Sequence, residues 1–253
     1  MHIHLPKPLH GWREFAGEVG IIVIGVLIAL AAEQAVEALR MHENEGRAEA
    51  AMRLELAEDD GPQAYSRVLI GPCLDAQIAA IHDGAGRVPG DRLRQWVLAY
   101  SPPIRTWDTE AWKTVLASDV SSHMGAERLV QWSSPYRVLG GMTEANMRER
   151  DLATDLQEAL PPTGAPSEAN LQALRRAAAQ LRMINTSFYR ASQLLLKRSE
   201  NLGAGVQASE KRALLKEARA IYGGCAQAPS PNAAPVAQSL RANLQAAPSG
   251  MGS

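Results

Sequence analysis

Aromatic residues are scarce in this chain, 5% of the total with two phenylalanines, and no segment alternates polar and apolar residues. Sheets rest on aromatic and β-branched side chains set out with period two, so the scarcity weighs against strands. An excess of one charge is also missing: 26 Lys and Arg face 27 Asp and Glu. A nucleic-acid surface needs clustered basic residues, so no nucleic-acid partner is expected. Cysteine is confined to Cys73 and Cys225. In a reducing cytosol they would be small buried apolar residues; in an oxidising compartment they are candidates for one disulfide.

The motifs of common chemistries are absent or broken. His42-Glu43-Asn44-Glu45-Gly46 begins like the zinc-protease HExxH but ends in glycine, so the second ligand is missing. Gly84-Ala85-Gly86 has neither the strand before it nor the third glycine of a dinucleotide loop, and reads as a turn. There is no phosphate loop and no G-x-S-x-G elbow. His2 and His4 read as solvated terminal residues, and Glu55, Glu58, Asp59 and Asp60 as a solvated acidic face without a calcium loop. Trp96, Trp107, Trp112 and Trp132 sit beside aliphatic residues at helical spacing and read as core. No enzyme, cofactor or metal is expected from these residues.

What the chain does have is one long apolar run, Phe15–Ala32, FAGEVGIIVIGVLIALAA. As a helix, ~18 residues at ~1.5 Å each reach about 27 Å, close to the hydrocarbon thickness of a bilayer. Lys7 and Arg13 precede the run, whereas Glu33, Glu37, Glu43 and Glu45, relieved by Arg40 and Arg47, come after it. Basic residues resist translocation, which keeps the leader, residues 1–14, in the cytoplasm and exports the chain beyond the run. Ala29-Leu30-Ala31 has the small-residue pattern of a signal-peptide cleavage site. The helical pattern nevertheless continues through Glu33–Arg40, which favours an uncleaved anchor over residues 15–36; either reading exports the rest. Within the anchor, Ala16–Gly20 and Gly25–Ala29 are two pairs of small residues at four-residue spacing, on overlapping but not identical faces. Glu18 at its edge is either an interfacial acid or a functional one. Ala16, Glu18, Gly20, Gly25 and Ala29 are the expected contact face for a second copy or a partner helix.

The remainder predicts an all-α architecture: a transmembrane helix continuing into a stalk, then a helical bundle over residues 37–225. The stalk is expected to be polar all round at His42–Arg47 and to stop at Glu58-Asp59-Asp60-Gly61-Pro62. A second helix carries Leu69, Leu74, Ile78 and Ile81 with a kink at Gly71-Pro72. A short helix capped by Asp91 comes next, and then a single helix over Thr106–Met124. After Gly125 a longer helix places Leu129, Trp132, Tyr136 and Leu139 on one face and bends near Pro135. Residues 161–166 form a linker. Ser167 caps the most regular helix, with Leu171, Leu174, Ala178, Leu181, Phe188, Leu195 and Leu202 in a stripe interrupted by Asn185 and Ser192. A last helix ends at Gly223-Gly224, and residues 226–253 read as a disordered tail. Cys73 and Cys225 each come directly after a break-prone residue, so a bridge between them would tie the second helix to the end of the last.

The run Gly17–Leu30, with the leader His4–Phe15, resembles the opening of a family of uncharacterised bacterial single-pass membrane proteins. Ala111-Trp112-Lys113 to Tyr136 is more loosely similar to a second block of that family. The resemblance implies an inner-membrane anchor, a helical periplasmic part and no catalytic residues to transfer. The expected role is a membrane-tethered interaction or scaffold module that binds the bilayer and a protein partner or itself. The alternative is a subunit of an ion-coupled membrane complex using Glu18.

Overall fold

The computed structural model describes residues 11–229, and among these the chain is all-α. His2, His4, Lys7 and most of the expected tail lie outside the described residues. Helix α1 runs from Trp12 to Leu54, 43 residues, or about 65 Å at 1.5 Å per residue. It passes without a break through a π-helical turn, Glu55–Asp60, into α2, Gly61–Gly84.

The expected stop at Glu58–Pro62 therefore does not occur. In an α-helix the Pro62 ring would collide with the carbonyl four residues back, and its missing N–H would leave a carbonyl unpaired. The π turn shifts the ladder to the i→i−5 pattern, with the Gly61 N–H donating to the Leu56 carbonyl, and so absorbs the proline. Gly61 is packed too closely for a side chain: a Cβ there would lie 2.5 Å from the Leu56 carbonyl oxygen.

The polar neck is also different from expectation. From Met41 onward α1 docks on the bundle, because Glu45 and Glu49 are held by the long helix Ala126–Glu158 rather than by water. Arg128 donates to both, at 3.0 Å to Glu45 and 2.9 Å to Glu49, and the Trp132 indole N–H donates to Glu49 at 3.2 Å.

Beyond α2 come α3, Gly90–Ala99, and an extended stretch leading to α4, Glu110–Ala117, and α5, Val120–His123. The single helix expected over Thr106–Met124 is thus two short ones. Ser118 adopts an extended backbone and its hydroxyl donates to the Val115 carbonyl, which satisfies the end of α4 locally. Helix α6 covers Ala126–Glu158, α7 Glu168–Asn201 and α8 Ala208–Tyr222. Ser167 caps α7 in a reciprocal box with Asn170, and Gly223 ends α8 at a positive φ of 65°.

Side-chain contacts fix the directions. Taking α1–α2 as leading away from the apolar run, α6 starts beside Glu45 and Glu49 and runs outward. Helix α7 runs back, from Arg175 against the Ala85 carbonyl to the Leu202 carbonyl, which accepts from Arg53. Helix α8 runs outward again, from Lys211 over the Tyr65 ring to Cys225 beside Cys73. Helix α7 lies between α2 and α6, so its stripe Leu174, Ala178, Leu181, Phe188 and Leu195 is buried on both sides. Ala226 is fully buried, so the packed domain extends past Cys225. The core falls into two clusters. The outer one gathers the far half of α2 with α3, α8 and the ends of α6 and α7; the inner one gathers the π turn with α4, α5, Trp132, Tyr136 and Phe188.

Candidate functional site

The residues expected on the anchor contact face all lie on the free half of α1. None of Gly20, Gly25 or their neighbour Gly17 has another part of the chain within reach of an added Cβ. At roughly 100° per residue, Ala16 and Gly20 fall on one side of the helix. Glu18, Gly25 and Ala29 fall on the opposite side. The five residues therefore form two faces rather than one, and Glu18 shares its face with Gly25 and Ala29.

Cys73 and Cys225 are joined in a disulfide with their Cα atoms 5.6 Å apart, tying mid-α2 to the turn after α8. A groove of about 740 Å³ opens beside it, between Ala76 and Ala80 of α2, Trp96, and Ile221 of α8.

A larger groove, about 1030 Å³, runs between α2 and α7 on the outer surface. Its floor is Gly71, Ile78, Ala178 and Asn185. One wall carries Asp75 and Asp83 from α2; the other carries Arg182 and Arg190 from α7. Arg182 reaches across to Asp75 with Nε–Oδ1 3.0 Å. The His82 ring pairs with Asp83 at 2.9 Å, and the Asp83 carboxyl is held below its usual range by that hydrogen bond.

Behind the floor is a buried polar cluster that was not among the sequence expectations. Arg67 of α2 grips Glu149 of α6 with both guanidinium arms, one at 3.1 Å, and donates to the Asn185 Oδ1 of α7 at 3.1 Å. The Asn185 amide donates in turn to the Gly71 carbonyl at 2.9 Å. The guanidinium also lies 4.6 Å above the Phe188 ring. Arg67 and Glu149 are each 1% exposed. Arg105 nearby has its pKa lowered by burial and by the positive charge of Arg67; Tyr100 has its own raised by burial and by Glu149. A signal was present in the sequence. Arg67 stands on the stripe Ile70, Leu74, Ile78 and Ile81, and Glu149 on Met142, Leu152 and Leu156. A charge on an apolar stripe needs a partner from another helix.

The acidic face at Glu55–Asp60 is not uniformly solvated. Glu55 and Asp60 are buried, because the segment before α4 lies across the π turn. The Asp108 N–H donates to Asp60 at 3.0 Å, and the Ala111 N–H to Glu55 at 2.9 Å. Burial pushes Asp60 up to about 8, with the backbone hydrogen bond from Asp108 opposing and the negative charge of Glu55 adding. Of the tryptophans, Trp132 is buried, while Trp96, Trp107 and Trp112 pack half-buried at the core edge. Trp112 stacks on Tyr136 at 5.4 Å.

Chemically, this arrangement offers a grooved, charge-patterned helical surface braced from behind by a buried ionic cluster in which the Arg67 Nε–H alone of that guanidinium's three nitrogens has no partner. Among the described residues no group of three His, Cys, Asp or Glu side chains is placed to hold a metal ion. Comparison of the chain with protein-family models, with curated proteins and with solved structures finds no match.

Proposed function

We propose that this chain is a membrane-anchored helical interaction module, held in the inner membrane by α1 and presenting its bundle on the periplasmic side. The observation that carries the reading is the state of the apolar run. Its best 18-residue window has a mean hydropathy of 2.4 and is 0% buried against the rest of the chain. Side chains from Ile21 to Leu30 stand about half or more exposed, an arrangement that water penalises and hydrocarbon does not.

Two further features support it. The same helix runs directly into the bundle, and Glu49 clamps it there, so an inserted anchor would hold the bundle close to the membrane surface. The Cys73–Cys225 disulfide suits an oxidising compartment, in agreement with the basic residues Lys7 and Arg13 ahead of the span. The resemblance of Gly17–Leu30 to bacterial single-pass anchors points the same way. The bundle would then act by docking another protein chain on its outer grooves.

Membrane fractionation tests the reading. The chain is expected in the pellet after alkaline carbonate washing, and to be released by detergent. Recovery in the wash would overturn it.

A further inference from the structure

We propose that the groove between α2 and α7 seats a second copy of this chain, related by a two-fold axis along the rod, so that Asp75 of each copy faces Arg182 of the other. The inference rests on the membrane-anchored reading and names the partner that reading leaves open.

The argument starts from register. Helices α2 and α7 are antiparallel, and Asp75 and Arg182 touch across the groove, so they lie at one height above the anchor. The walls have opposite charge: Asp75 and Asp83 on α2, Arg182 and Arg190 on α7. A two-fold axis parallel to the rod preserves height and exchanges the walls. It therefore sets α2 of one copy against α7 of the other, with Asp75 and Arg182 in register twice, while Asp83 and Arg190, each about 12 Å along its helix in opposite directions, do not face each other. A perpendicular axis would reverse one copy and point the two anchors in opposite directions. Two chains in one membrane with one topology exclude that.

The surface fits the same geometry. Met183 stands next to Arg182 on the outer ridge of α7 and is 72% exposed. Near its height the α2 wall of the facing copy presents Ala79, a residue with little side-chain bulk, whereas Gly71 is covered by the Tyr189 ring of its own chain. A small polar ligand has less to recognise here, because the buried amide on the floor, Asn185, is already engaged by Arg67 and Gly71. Confinement to a membrane gives the copies a common orientation and a raised effective concentration, so a groove of modest size suffices for pairing.

The test is charge exchange between two differently tagged full-length copies in one membrane, read as co-capture after mild solubilisation. Asp75→Arg alone gives copies with two bases at each contact, and Arg182→Asp alone gives two acids. Each is expected to lower co-capture at least tenfold. Combining one copy of each variant restores opposite charges across both contacts while the clash within each chain remains, so co-capture should recover. That recovery separates pairing between copies from any role inside one chain. Both groups are partly exposed, and circular dichroism with a melting curve verifies that each variant folds. Undiminished co-capture in the single variants, as pairing through the anchor would give, overturns the proposal. So does failure of the mixed pair to recover, or a monomeric wild type that stays in the membrane pellet; in all three cases the anchor reading survives. A chain washed free of the membrane would remove the anchor reading and this proposal with it.

Discussion

Arg67 on α2 and Glu149 on α6 form a two-armed ion pair, each 1% exposed, and Asn185 on α7 closes the cluster from the third helix. Three helices are thereby registered by one set of hydrogen bonds. A buried pair gains little over well-packed apolar residues, but removing one partner strands a charge in a low-dielectric core. Glu149→Leu is expected to destabilise the chain by about 3–5 kcal/mol. Arg67→Met combined with Glu149→Leu should cost clearly less than Glu149→Leu alone. Urea unfolding of the detergent-solubilised protein, followed by circular dichroism, measures both. A double variant less stable than the single would show that the pair is not the coupled unit described.

Asp60 should make stability depend on pH. Its folded pKa is raised from 3.8 to about 8. Below about pH 4 both folded and unfolded chains hold the proton. Between that point and about 8 the unfolded chain has lost it while the folded chain retains it, so stability falls as pH rises. Above about 8 both forms are ionised and the loss levels off. Asp60→Asn keeps the acceptor for the Asp108 N–H and removes the charge. It should flatten the slope between pH 5 and 8 and raise the melting temperature at pH 8 relative to wild type. A variant that melts lower than wild type at pH 8 would contradict the assignment.

The disulfide closes a loop of 152 residues. In the chain-entropy model such a closure contributes about 5 kcal/mol through the unfolded state. Cys73→Ala with Cys225→Ala should therefore lower the unfolding midpoint while leaving the helical content of the folded chain intact. Thiol titration of the denatured, unreduced protein checks the bond itself, with no free thiol expected. Two free thiols would refute it.

Long periodic helices were legible in the sequence. The α7 stripe, its Ser167 cap and the all-α class follow from three-four spacing and one capping residue, both local signals. The π turn was not legible, because Pro62 is an equally good first-turn residue for a new helix and only the packing of Leu56 and Gly61 decides for continuity. The burial of Glu55 and Asp60 depends on backbone donors some 48 to 56 residues away, at Asp108 and Ala111, which no local pattern records. The groove walls were hidden for a similar reason. Asp75 and Arg182 are 107 residues apart, and only the antiparallel register of α2 and α7 brings them together. The division of the anchor residues is legible from helix angles alone, which set Ala16 and Gly20 apart from Glu18, Gly25 and Ala29.

Topology gives the remaining prediction. Lys7 and Arg13 precede the apolar run, and acids dominate after it, so insertion should leave the leader inside and carry the bundle across. A reporter that fluoresces only in the cytoplasm, fused after Pro229, is expected to stay dark, and a periplasm-active phosphatase fused there should be active. The fusion point lies beyond Cys225, so the disulfide and the buried Ala226 are kept and the bundle can fold before the reporter. The charge bias can be inverted as a control. Replacing Lys7 and Arg13 by Glu, with Glu33 and Glu37 changed to Lys, should brighten the cytoplasmic reporter and silence the phosphatase. If both fusions already report a cytoplasmic bundle in the wild type, the charge argument fails. The Cys73–Cys225 bond would then have to persist in a reducing compartment, where surrounding thiols work against it.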